Sequence, residues 1–129
     1  MEDLAKLYFH KFGIESACLR INSCFPEPTD RRHLATWVSF DDLTRLVTRC
    51  LISERIGFTV AYGISNNPER FFSNEKVRHL GFIPEDSSEP YREQVEAATP
   101  PGDPHAPEVE YVGGVFCKWG HPDDEGWNA

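Results

Sequence analysis

The stretch Gly13-Ile14-Glu15-Ser16-Ala17-Cys18-Leu19-Arg20-Ile21-Asn22-Ser23-Cys24-Phe25-Pro26-Glu27-Pro28 decides the fold. Residues 15–21 have the length and mixed apolar content of a strand buried on at least one face. Upstream, Leu4, Leu7, Tyr8, Lys11 and Phe12 fall at helical spacing, and Gly13 suits the position just past a helix end. A helix, a glycine turn and a strand make the αβ half of a βαβ unit, which predicts an α/β protein. No N-cap residue precedes Glu2, as in the tail of a longer helix.

Downstream, Pro26 and Pro28 predict an irregular segment over residues 22–36, without a helix or a central strand. Ser39 reads as the N-cap of a second helix, with Asp41 and Asp42 in its first turn and Leu43, Leu46, Val47, Cys50 and Leu51 on its apolar face. Gly57-Phe58-Thr59-Val60-Ala61-Tyr62-Gly63 reads as a second strand. Ser73 or Asn74 could cap a short helix ending at Gly81, and residues 89–97 predict a last helix. Residues 99–108 read as a Pro-rich linker, residues 109–119 as strand-like, and residues 121–129 as a frayed tail. The expected division is 1–98, 99–108 and 109–129. Two confident strands cannot bury a sheet on both edges, so the topology predicts a piece of a larger fold.

The chain has 129 residues, a net charge of −8 and 40% apolar content, which fits one soluble domain at most. Its acidity argues against a nucleic-acid partner. No apolar run approaches the ~20 residues of a membrane span, so no membrane is expected. Met1-Glu2-Asp3-Leu4-Ala5-Lys6 lacks the apolar core of a signal peptide, which predicts a cytoplasmic chain. Cys18, Cys24, Cys50 and Cys117 form no Cys-x-x-Cys pair and the five histidines are scattered, so no metal site is predicted and the thiols are expected to be reduced. The sequence contains no glycine-rich phosphate cradle, Walker motif, His-Glu-x-x-His or Gly-x-Ser-x-Gly.

Three stretches carry a specific likeness: Leu19 through Pro28; Arg32-His33-Leu34-Ala35-Thr36-Trp37-Val38-Ser39-Phe40-Asp41-Asp42-Leu43; and Val60-Ala61-Tyr62-Gly63-Ile64-Ser65-Asn66-Asn67 with His79-Leu80-Gly81-Phe82-Ile83-Pro84-Glu85-Asp86. Together they resemble the C-terminal half of the uronate dehydrogenases, within the extended short-chain dehydrogenase/reductases. Gly113-Gly114-Val115-Phe116 resembles the family's last segment. The resemblance implies a C-terminal fragment of a Rossmann-type dehydrogenase, lacking the N-terminal nucleotide-binding strands. The family's Tyr-x-x-x-Lys pair is missing: Tyr8, Tyr62, Tyr91 and Tyr111 are followed four residues on by Phe12, Asn66, Val95 and Val115. No catalytic residue is therefore assigned. The expectation is the substrate-binding portion of an NAD-dependent uronate dehydrogenase-like oxidoreductase, an inactive remnant alone. Two alternatives stay open: an active NAD-dependent dehydrogenase, epimerase or dehydratase whose N-terminal half precedes this sequence, and a non-catalytic interaction module. A homo-oligomer is compatible with each.

By the same resemblance, Ser23, Arg32 and Phe116 contact a hexuronic acid, and Ile21, Ser23 and Cys24 contact NAD. Residue chemistry alone gives plainer readings. Ser23 can satisfy a turn backbone, Ile21 and Cys24 can be core residues, and Phe116 can be packing. Arg32 has the guanidinium fork that grips a carboxylate, but a surface pair with Asp30 would look the same, and Arg31 beside it reads as a surface charge. Trp37 reads as a packing anchor, and the acids at 85–86 and 123–125 as solvated faces. The family usually has glycine where Asn22 stands, which puts the geometry of this loop in question.

Overall fold

The computed structural model describes residues 1–120, Val115 by its backbone alone. Helix α1 (Glu2–Phe12) stops at Gly13, whose φ of 70° suits a residue without Cβ and whose N–H donates to Phe9 O at 2.8 Å. Strand β1 (Ser16–Ile21) follows, then the two-residue strand β2 (Ser23–Cys24). A one-turn helix α2 (His33–Thr36) runs into strand β3 (Trp37–Val38). Residues 22–36 are thus less irregular than predicted. The prolines exclude regular structure where they stand, but β2 ends before Pro26 and α2 begins beyond Pro28.

Helix α3 (Phe40–Ile52) begins as predicted: Ser39 Oγ accepts the Asp42 N–H at 2.9 Å. Strand β4 (Phe58–Gly63) lies parallel to β1, from Ser16 opposite Phe58 to Ile21 opposite Gly63. A parallel pair needs a long crossover, and α3 is part of it. Leu46 of α3, Ala61 of β4, Val77 and Leu80 form the buried core, with Leu19, Cys50, Ile56 and Phe82 packed against it. Leu46, Val77 and Leu80 each stabilise the fold by roughly 1.5–3 kcal/mol on full burial, and the single methyl of Ala61 by less.

Residues 75–80 form a 3-10 helix ended by Gly81. Asn74 does not cap it. Its side-chain amide instead brackets Tyr62, accepting the N–H and donating to the carbonyl, both at 2.8 Å. A 3-10 turn over Glu89–Tyr91 leads into α4 (Arg92–Ala98). Residues 109–119 are not strand-like. Pro107 opens a short helix α5 (Pro107–Glu110), and Gly114–Lys118 is a 3-10 helix. Proline pre-sets the first helical φ, which favours a helical start at this point. The expectation for residues 121–129 lies outside the described residues. Among the described residues, no helix is long and apolar enough to cross a membrane, and no three His, Cys, Asp or Glu side chains gather as a metal site.

Candidate functional site

The site is built where β2, α2 and β3 meet. β2 and β3 pair in parallel, Ser23 with Trp37 and Cys24 with Val38. Trp37 is buried, donates its indole N–H to Phe25 O at 2.9 Å, and meets the Tyr91 ring edge-on at 5.9 Å. Buried Asn67 donates to Trp37 O at 2.7 Å and accepts the Ser88 N–H at 3.0 Å, while Ser88 Oγ donates to Leu34 O at 2.8 Å. These bonds satisfy polar groups that would otherwise be costly to bury and fix α2 against the rest of the chain.

Ser23 is fully buried. Its hydroxyl lies 2.9 Å from Thr36 Oγ1, which donates its only hydrogen to Arg32 O at 2.9 Å. Ser23 must therefore be the donor to Thr36. Two of the three predicted substrate residues, Ser23 and Arg32, are linked through Thr36, a residue the sequence reading did not single out. Ile21 stands exposed at the carboxyl end of β1, and Cys24 is half-buried, its thiol pKa pushed up by burial. A thiol so placed is a weak nucleophile.

The adjacent arginines differ in their bonding. Arg31 donates to Thr99 O at 2.7 Å and Glu96 O at 3.3 Å and lies 3.7 Å from the Glu96 carboxylate. It is not the independent surface charge expected from sequence but a cation clasping the carbonyl end of α4. Asp30 does not pair with Arg32. It accepts the His33 N–H at 3.1 Å and stands 3.4 Å from His33 Nε2. Arg32 donates Nη1–H to Val112 O at 3.1 Å and has no carboxylate partner among the described residues. It lines a cavity of about 580 Å³ with Arg31, Thr36, Phe71, Glu108, Tyr111 and Gly114. Thr99, Pro100 and Pro101 also line it, which places the start of the Pro-rich segment on this wall.

His33 sits behind Arg32 with its side chain buried. Its Nδ1 accepts the Thr29 N–H at 3.1 Å, so the ring proton is on Nε2, facing Asp30. Burial lowers its pKa, the Arg32 charge adds to this, and Asp30 opposes it. Phe116 lies apart, 64% exposed and edge-on to Trp119 at 4.7 Å.

Parallel β1–β4 pairing, a helical crossover and polar residues off the carboxyl end of β1 define the class: a partial Rossmann-type α/β unit. The sequence is uronate dehydrogenase-like, as the likeness in residues 19–28, 32–43, 60–67 and 79–86 implied. It is 45% identical over 119 residues to the uronate dehydrogenase of Pseudomonas syringae pv. tomato, covering 92% of this chain and 43% of that protein. The crystal structure of glucuronic acid dehydrogenase from Chromohalobacter salexigens matches with a TM-score of 0.91 at 50% identity, over 95% of this chain and 46% of that one. A mutant uronate dehydrogenase from Agrobacterium tumefaciens, complexed with NAD, matches with a TM-score of 0.86 at 39% identity, over 91% and 44%. No family model matches the chain. The chain spans less than half the length of these relatives.

Proposed function

We propose that this chain is the substrate-binding portion of a cytoplasmic, NAD-dependent uronate dehydrogenase-like oxidoreductase, with Arg32 anchoring the hexuronate carboxylate. One observation carries the reading: of two adjacent arginines, Arg31 is committed to Glu96 and Thr99, whereas Arg32 faces a sugar-sized cavity without a carboxylate partner among the described residues. A guanidinium so placed offers planar, paired donors to a carboxylate. Ser23, through Thr36, fixes the loop beside it, and Phe116 belongs to the segment that closes the substrate side. The same reading divides the chain into residues 1–98, a Pro-rich connection over 99–108, and a closing segment from 109 onward.

The residues fit one end of the cofactor. Exposed Ile21, followed by Ser23 and Cys24, offers apolar surface and backbone polar groups at a strand's carboxyl end, where a nicotinamide ring would lie. Nothing in the sequence supplies a glycine-rich cradle for the pyrophosphate. When bound, NAD would supply the acceptor for the hydride leaving the sugar C1 as its hydroxyl becomes the lactone carbonyl, the hydroxyl proton going to a general base that is not among the residues assigned in this chain. The chain's own task is to hold the carboxylate and so orient C1.

The test is reconstitution. This chain is co-expressed with the portion of the Pseudomonas syringae enzyme that it does not match, and NADH formation from D-glucuronate is followed at 340 nm. A general base contributes roughly 10²–10⁴-fold, and none is assigned here, so the chain alone is expected to give no NADH. The pair is expected to give NADH only when both parts are present. NADH from this chain alone, or a pair that assembles and stays inactive, contradicts the proposal.

A further inference from the structure

Arg32 reaches its place against a stretch of backbone rather than a side chain. Its Nη1–H donates to Val112 O at 3.1 Å, and the guanidinium passes close over Gly114. A Cβ on Gly114 would lie 2.8 Å from both Nε and Cζ of Arg32 and 3.2 Å from Nη1. Gly114 also has φ +57°, a left-handed conformation that residues with a Cβ rarely adopt. Two separate requirements, space for the guanidinium and backbone handedness, thus favour glycine at one position. The resemblance implies a substrate contact from Phe116 in this segment, and that ring is 64% exposed and edge-on to Trp119.

We infer that Gly114 is a positioning residue for Arg32: with the Val112 carbonyl it forms a backbone shelf that sets the direction of the guanidinium fork, and so the affinity for a sugar carboxylate. The inference rests on the reading of Arg32 as the carboxylate anchor. A methyl at 114 meets the mobile end of a flexible side chain, so the fork swings aside while the fold need not move. Because bidentate carboxylate binding depends on that direction, the shift should appear in ligand affinity.

The experiment is a double-mutant cycle on the full chain, with D-glucuronate as the probe in calorimetric titration. Gly114→Ala and Arg32→Ala should each weaken binding at least tenfold, and the double variant should bind no more weakly than Arg32→Ala alone. Gly114→Asn separates clash from backbone strain, because asparagine tolerates positive φ yet carries a Cβ. It should lose affinity as Gly114→Ala does, and it carries the test if the alanine variant fails to fold. Wild-type affinity in either Gly114 variant that folds overturns the inference, as does a further tenfold loss from Gly114→Ala in the Arg32→Ala background. An unaltered chain that does not bind glucuronate instead overturns the reading of Arg32, and the inference with it.

Discussion

His33 gives the loop behind Arg32 a pH dependence whose sign follows from its surroundings. Burial, reinforced by Arg32, keeps the folded imidazole neutral below its ordinary value of 6.5. As pH falls through 6.5 the unfolded chain takes up the proton first, so the stability contribution present above that pH is progressively lost toward the lower folded pKa. Thermal unfolding between pH 7.5 and 5.5 should show a falling midpoint, less steep in a His33→Asn variant. An equal slope in both would place the dependence elsewhere. At this scale the sequence was informative where chemistry is intrinsic to the residue. Trp37 stood out because a large ring must be buried, and it is, whereas Arg32 was singled out by the family resemblance, its guanidinium chemistry alone being equally that of a surface pair. Arg31 was misjudged because its partners, Thr99 and Glu96, are 68 and 65 residues away. Thr36 and Gly114 were missed because an ordinary threonine and glycine carry no signal until Arg32 is placed beside them.

Among the elements, α3 is the one most fully specified by its own sequence and most dependent on what lies outside it. Its Ser39 cap and acidic first turn were readable because capping acts within three or four residues. The wider role of Asp42 was not. Its fully buried carboxylate accepts Ser65 Oγ at 2.6 Å, the Glu85 and Asp86 N–H groups at 2.8 and 3.0 Å, and Arg45 Nη1–H at 2.7 Å. Ser39 Oγ in turn donates to Asp86 at 2.5 Å. Most of these partners are distant in sequence, and Asp42 had read only as a helix-dipole acid. It ties the start of α3 to the segments after β4. Asp42→Ala leaves these donors unpaired in a buried place and should cost about 3–5 kcal/mol, measured by urea unfolding. A loss below about 1 kcal/mol would mean that water replaces the carboxylate. The segment after Pro107 shows the opposite failure: its apolar residues looked like a strand, but strand identity requires a partner, and local proline chemistry prevailed.

Over the whole molecule, the apolar surface is unevenly covered. No residue of α1 is buried, and Leu4, Leu7, Phe12 and Ile14 stand more than half exposed. β1 pairs with β4 on one edge only among the described residues. Nearly apolar parallel strands are ordinarily covered on both faces. Both features match a chain that corresponds to under half of the dehydrogenases it resembles, and the shortage of strands was legible from sequence. The core of Leu46, Ala61, Val77 and Leu80 and the loop carrying Arg32 lie away from that uncovered side in sequence, between β2 and the residues after β4. The site is therefore expected to keep its preference for a carboxylate in the chain as it stands. The direct measurement is a calorimetric comparison of D-glucuronate with D-glucose, which carries a hydroxymethyl group in place of the carboxylate. The account predicts saturable binding of glucuronate at least tenfold tighter than glucose, a difference of about 1.4 kcal/mol. Equal affinity for the two sugars, or no binding of glucuronate, would contradict it.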